Sequence, residues 1–85
     1  GLLQFDGKAW TAHLKEEGPI TMLETTRDGK VWISSQIAGG LRYWNGKSWV
    51  VALEGPTPMR CLFDAGDGQV MAGAVLDGVY VRQAK

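Results

Sequence analysis

The most constraining feature of this 85-residue chain is that its sequence matches itself after a shift of 39 residues. The match runs without a gap, and the residues that recur are turn glycines, apolar residues and a tryptophan. The recurring residues include Gly1 with Gly40, Leu2 with Leu41, Gly7 with Gly46, Trp10 with Trp49, Asp28 with Asp67, Val31 with Val70, and Gly39 with Gly78. A fixed period of this length is typical of repeat proteins, whose units bury their apolar faces by stacking on their neighbours.

Within each period, short apolar segments typical of strands alternate with turns that contain glycine, and helical periodicity is missing. Asp-Gly and Asn-Gly pairs close several of these segments. Both suit tight hairpins, because the two central residues of a type I′ turn need a positive φ. The predicted strands are residues 2–5, 9–14, 20–25, 30–35, 41–44, 48–53, 59–64, 69–74 and 79–83.

This spacing favours an all-β chain built from β-propeller-like blades, because four antiparallel strands in about 39 residues make one blade. Residues 1–85 then form a single repeat domain of about two blades. Residues 1–18 supply the third and fourth strands of one blade, residues 19–54 a complete blade, and residues 55–85 the first three strands of another.

A closed propeller needs about four to eight blades, so two blades imply either a piece of a longer array or closure by several copies. A homo-oligomer of three or four copies would give six or eight blades, and a dimer is the competing assembly. The strand at residues 9–14 of one copy would complete the last blade of its neighbour.

The charge of the chain disfavours two classes of partner. Nine basic and nine acidic residues balance to a net charge of zero, and the basic residues form no run. Nucleic-acid and anionic-membrane binding both require clustered Lys and Arg, so we expect neither partner. Cys61 is the only cysteine, so no disulfide can form within the chain. Cysteine usage therefore does not indicate whether the protein resides in an oxidising or a reducing compartment.

Several motifs resemble the propeller repeat of two-component regulators. The motifs are Asp28-Gly29, the Trp-containing strand at residues 31–33, Gly39-Gly40-Leu41 followed by Arg42-Tyr43, and the Asn45-Gly46 turn. The resemblance covers essentially the whole chain, although the last repeat is degenerate and Met71 replaces the tryptophan there. It implies a sensory, extracytoplasmic propeller that binds ligands or proteins without catalysis.

A second resemblance covers a single hairpin. The segment Trp44-Asn45-Gly46-Lys47-Ser48-Trp49 is similar to turns of small two-blade lectins that trimerise into six-bladed propellers. It implies carbohydrate binding, as an alternative to the sensory function.

Four residues are candidates for ligand contact: Trp10, Trp49, Arg42 and Trp44. Tryptophans at a blade rim can stack on a sugar or a peptide, and Arg42 alternates with Trp44 on one face of a strand. The alternative interpretation is that Trp10 and Trp49 only pack between sheets, as aromatic residues commonly do.

The remaining chemistry-bearing residues predict no reaction centre. His13 is the only histidine, and a third alternative, a propeller-type lyase, would depend on it. Cys61, in register with Met22, is predicted to be a buried and unreactive thiol. Asp64, Asp67 and Asp77, together with Asp28, lack the ligand spacing of a calcium loop, so we expect no metal and no cofactor.

Overall fold

A computed structural model of the chain describes residues 1–15, 18–55, 57–74 and 79–82, with the backbone alone for residues 79 and 80. In these ranges the chain is all-β, and every predicted strand segment is a strand. The strands are β1 (Leu2–Phe5), β2 (Trp10–His13), β3 (Ile20–Thr25), β4 (Val31–Ser35), β5 (Leu41–Trp44), β6 (Trp49–Leu53), β7 (Met59–Gly66), β8 (Gln69–Ala74) and β9 (Val79–Arg82). The predicted turn residues Pro56, Asp77 and Gly78 lie outside the described residues.

The strands form three antiparallel sheets in which neighbours in sequence are neighbours in space. The first sheet contains β1 and β2, the central sheet contains β3 to β6, and the third sheet contains β7 to β9. Residues 19–54, predicted as one four-stranded unit, hold the central sheet. Each sheet is therefore formed by strands from one continuous stretch of the chain.

The residue pairing within the central sheet recurs within the third sheet after a shift of 39 residues. Leu23 pairs with Ile33 in the central sheet, and Leu62 pairs with Ala72 in the third. Both hairpins carry a register shift at the same place, between Ile20 and Met22 and between Met59 and Cys61. The turns agree as well, since Asp6 and Asn45 each accept hydrogen bonds from the backbone N–H groups two and three residues later.

Strand β9 departs from this shift by one residue. Val31 pairs with Trp44 between β4 and β5, whereas Val70 pairs with Arg82 between β8 and β9, which is a shift of 38 for the partner strand. The sequence match continues without a gap and aligns Gly39 with Gly78, whereas strand pairing makes each β9 residue equivalent to the β5 residue 38 positions earlier. Because side chains alternate between faces, one residue decides which face each side chain occupies.

The main core lies between the central and third sheets. Its buried members are Met22, Trp32 and Leu41 from the central sheet and Met59, Val70 and Ala72 from the third. We call the side of the central sheet that carries Trp32 its front face and the opposite side its back face, and we give the equivalent sides of the other sheets the same names. The front face of the central sheet thus packs on the back face of the third.

Polar contacts reinforce this packing between the two sheets. The Ser34 hydroxyl is fully buried, donates to the carbonyl oxygen of Gly40 at 2.7 Å and accepts from the backbone N–H of Met59 at 2.8 Å. The Thr21 hydroxyl donates to the carbonyl oxygen of Met59 at 2.8 Å. Ser34 and Thr21 of the central sheet thus bind both the N–H and the carbonyl oxygen of Met59, the first residue of β7.

Two predictions about burial are wrong, because the side chains concerned lie on sheet faces that no other described sheet covers. Cys61 lies on the front face of the third sheet and is exposed, so the predicted buried thiol is wrong. Trp10 lies on the back face of the first sheet with 66% of its surface exposed, so it does not pack between sheets as one interpretation held. Trp32, which lies between the central and third sheets, is only 2% exposed.

Candidate ligand-binding cleft

A cleft opens between the front face of the first sheet and the back face of the central sheet. Its volume is about 190 Å³. The described residues that line it are Leu2, Leu3, Gln4, His13, Leu23, Val31, Trp44 and Trp49. Aliphatic side chains and two indole rings dominate the lining, and its polar groups come from Gln4 and His13.

Hairpin register brings the aromatic residues of the cleft together. Trp44 and Trp49 are cross-strand partners at the end of the β5–β6 hairpin, with ring centroids 5.4 Å apart at 55°. Cross-strand pairs lie close enough for rings to touch. The Asn45 turn fixes this register, because its side-chain oxygen accepts the N–H groups of Lys47 and Ser48.

His13 reaches the same point from the first sheet. Its ring lies edge-on to both tryptophans, with centroids 5.4 Å from Trp44 and 6.0 Å from Trp49. Its Nε2 atom forms a hydrogen bond of 2.9 Å with Oε1 of Gln4, which is on the same face of the hairpin. The imidazole is therefore oriented by the amide on one side and by two indoles on the other.

This combination suits the binding of a ring-shaped ligand with apolar and polar edges. Indole surfaces contribute apolar contact area, and the amide and imidazole supply hydrogen bonds that orient a ligand. The described lining contains no carboxylate and no hydroxyl group. His13 therefore has no acid–base partner within the described part of the cleft.

The structure separates the four predicted site residues into three places. Trp44 and Trp49 share the cleft. Trp10 stacks instead on Phe5, with centroids 4.9 Å apart, on the opposite face of the first sheet. Arg42 lines a different groove, which it shares with Val51 and Glu54. The predicted pairing of Arg42 with Trp44 in one groove is therefore not observed.

Sequence reasoning missed His13 and Gln4 as part of this site. The repeat comparison aligns His13 with Ala52 and gives it no partner. A usable signal was nevertheless present, because the β1–β2 register places His13 and Gln4 on one face, diagonal to each other. Their proximity to Trp44 depends on how the two sheets stack, which sequence periodicity does not encode.

A second groove contains three aspartates at the turns of the central and third sheets. Its lining includes Asp28, Asp64, Asp67 and Arg27. The Lys30 ammonium group, 2.6 Å away, and the Thr26 hydroxyl lower the pKa of Asp28 to about 2. The backbone N–H groups of Arg27 and Gly66 lower the pKa of Asp64. Among the described residues no group of three or more His, Cys, Asp or Glu side chains is placed to hold a metal.

Within the described ranges, no helix is long and apolar enough to cross a membrane. In comparisons with known proteins, no protein-family model, no curated protein and no solved structure matches this chain.

Proposed function

We propose that this chain is a non-catalytic binding module built from propeller-type blades. The recurrence of strand pairing after 39 residues supports a repeat of four-stranded units. The stacking of a front face on a back face supports blades that pack side by side, as in a propeller. A sensory role outside the cytoplasm is part of the proposal and rests on the resemblance to the regulator repeat alone.

The observation that carries the binding function is the convergence of His13, Trp44 and Trp49 on one cleft. Two sheets must meet to bring these three rings within 6.0 Å of one another. Gln4 orients the imidazole, so the polar group of the cleft is preorganised. Preorganised polar groups in an apolar cleft are typical of ligand sites.

The cleft also supports carbohydrate as the ligand class, which is our second candidate. Pyranose rings present apolar C–H faces to indoles and hydroxyl groups to amides and imidazoles. Trp44 and Trp49 supply the first kind of contact, and Gln4 and His13 the second. A lyase reaction has no such support, because the hydrogen-bond partner of His13 among the described residues is the Gln4 amide, which is not an acid or a base.

The indole N–H resonances of the four tryptophans give a direct test. Titration of the chain with panels of free saccharides and short peptides should shift the Trp44 and Trp49 resonances in heteronuclear NMR spectra. The buried Trp32 and the remote Trp10 should stay in place. Trp44→Ala should weaken binding at least about tenfold, the loss of roughly 1.4 kcal/mol of contact.

Trp10→Ala is the matched control, since it removes the same side chain from the opposite face of the first sheet and should leave affinity unchanged. Chemical-shift changes confined to the Trp10 resonance would show that the ligand binds to the back face of the first sheet instead of the cleft. Binding of peptides but not of saccharides would contradict carbohydrate as the ligand class. The proposal of a non-catalytic binding module would then hold with a peptide ligand.

A further inference from the structure

The exposed turn between β5 and β6 contains Asn45, the only asparagine of the chain, followed directly by Gly46. In such a pair the glycine nitrogen can attack the side-chain amide carbon of the asparagine, because glycine has no side chain that hinders a close approach. A side chain at residue 46 would meet no atom of the described residues within 4 Å. Among the described residues, the Gly46 N–H group has no hydrogen-bond acceptor, so no bond restrains its nitrogen.

The turn holds the Asn45 amide in a geometry that favours this attack. Its Oδ1 atom accepts hydrogen bonds from the backbone N–H groups of Lys47 at 2.8 Å and Ser48 at 2.9 Å. Attack on the amide carbon places negative charge on this oxygen, and N–H donors at such distances stabilise an oxyanion. The same two donors withdraw electron density from the carbon, which makes it a better electrophile.

We propose that Asn45 is a self-modification site, at which the folded chain deamidates without an enzyme. The Gly46 nitrogen forms a bond to Cγ of Asn45, and the Cγ–Nδ2 bond breaks. The proton from the Gly46 nitrogen leaves with the amide nitrogen as ammonia, and a succinimide ring remains. Water then opens the ring at either carbonyl carbon, which takes the hydroxyl group while the ring nitrogen takes the hydrogen. The product is aspartate or isoaspartate.

The first hairpin shows what the aspartate product looks like. Asp6 is equivalent to Asn45 by repeat, and its Oδ1 atom accepts the N–H groups of Lys8 at 2.8 Å and Ala9 at 2.9 Å. The glycines that follow, Gly7 and Gly46, have the same φ of 101°. Aspartate at residue 45 should therefore keep the turn, and one added carboxylate changes the formal net charge from zero to minus one.

The isoaspartate product changes the backbone itself. Its main chain runs through the former side chain, so the turn gains one backbone carbon and Oδ1 becomes a main-chain oxygen. This turn sets the register in which Trp44 and Trp49 are partners, and both line the cleft. Isoaspartate at residue 45 should therefore displace the two indoles. A resulting loss of ligand affinity is the one part of the inference that rests on the proposed function.

Ageing of the chain at mildly alkaline pH tests the site. Deamidation replaces an NH2 group by OH, which mass spectrometry detects, and peptide mapping assigns the change to Asn45. The folded chain should deamidate at least as fast as the chain unfolded in guanidinium chloride, because only the fold holds the N–H groups of Lys47 and Ser48 on Oδ1. Slower deamidation of the folded chain, or none, would overturn the proposal.

An exchange of the two turn residues gives the matched control. Asn45→Asp should gain no mass on ageing and should keep the β-sheet circular dichroism of the wild type. Asp6→Asn added to that variant places an Asn-Gly pair in the equivalent geometry, so the doubly substituted chain should deamidate again, now at residue 6. A folded double variant that keeps its mass would show that the turn geometry does not promote the reaction.

The effect on the cleft has its own measurement. Anion exchange separates the deamidated chain, and its isoaspartate fraction should show Trp44 and Trp49 indole N–H resonances displaced from those of Asn45→Asp, without any ligand. The Trp10 and Trp32 resonances should stay in place. Undisplaced Trp44 and Trp49 resonances would contradict this effect.

These measurements are independent of ligand binding. A chain that deamidates at Asn45 but binds neither saccharide nor peptide contradicts the proposed function alone. A chain that binds a ligand in the cleft but keeps its asparagine on ageing contradicts the modification site alone.

Discussion

Trp32 joins the core of the molecule to a polar turn. Its indole N–H donates to the Thr26 hydroxyl at 3.0 Å, and that hydroxyl donates to Asp28 at 2.6 Å. Its ring also packs on Tyr43, with centroids 4.9 Å apart. The tryptophan at this position therefore contributes both buried apolar area and a satisfied buried hydrogen bond.

Trp32→Ala should lower the free energy of unfolding by about 3–5 kcal/mol, as aromatic truncations in cores do. Trp10→Ala is the matched comparison, because Trp10 is 66% exposed and contacts Phe5. Its loss should cost less than about 1.5 kcal/mol, the value of an aromatic pair. Urea unfolding at one protein concentration checks both. Equal midpoints would mean that Trp32 is not a core residue.

Asp28 should make the stability of the chain depend on acid pH. Its folded pKa of about 2 lies below the ordinary 3.8, so its stabilising effect is present above 3.8 and is lost as the pH falls towards 2. The effect should be modest, since the Lys30 and Asp28 side chains are 33% and 36% exposed. Asp28→Asn should therefore destabilise at neutral pH and match the wild type near pH 2.

Lys30→Gln is the control for the acid titration. It removes the ammonium group that contributes most to the lowered pKa of Asp28, and it introduces the glutamine that stands at the equivalent residue 69. The unfolding free energy of this variant should fall less than that of the wild type as the pH drops from 3.8 towards 2. A difference for Asp28→Asn that grows as the pH falls would contradict the prediction.

At the scale of strands and sheets, Ser34 is the residue that ties β4 to β7. Ser34→Ala leaves the Met59 N–H and the Gly40 carbonyl without their side-chain partner in a buried place. Such loss costs about 1–3 kcal/mol. Ser48→Ala, at an exposed turn position, should change stability by no more than about 0.5 kcal/mol. Thermal unfolding followed by circular dichroism measures both, and equal values would remove Ser34 from this role.

At the scale of the whole molecule, Cys61 reports on whether the front face of the third sheet is open. It lies on that face, beside Phe63 on the same strand face, and it is exposed. We therefore expect a thiol reagent to label the folded chain at a rate comparable with that of the urea-unfolded chain. Much slower labelling of the folded chain would show that this face is covered in solution.

Turns and alternation of side chains are determined locally, and the sequence predicted them well. All nine strand segments occur, because Asp6, Asn45 and the turn glycines act on residues two or three positions away. Strand β9 was the exception. Its register differs by one residue from that of β5, although the sequence repeat continues without a gap.

The burial of each face was decided only by the stacking of the sheets. Met22 and Cys61 have the same register and the same side of a strand, yet Met22 is 4% exposed and Cys61 is exposed, because a sheet covers only the first. Trp10 and Trp49 occupy equivalent positions but differ in exposure for the same reason. A residue's neighbours in sequence set the face on which it lies, but contacts between sheets, which join residues far apart in the chain, decide whether that face meets water or another sheet.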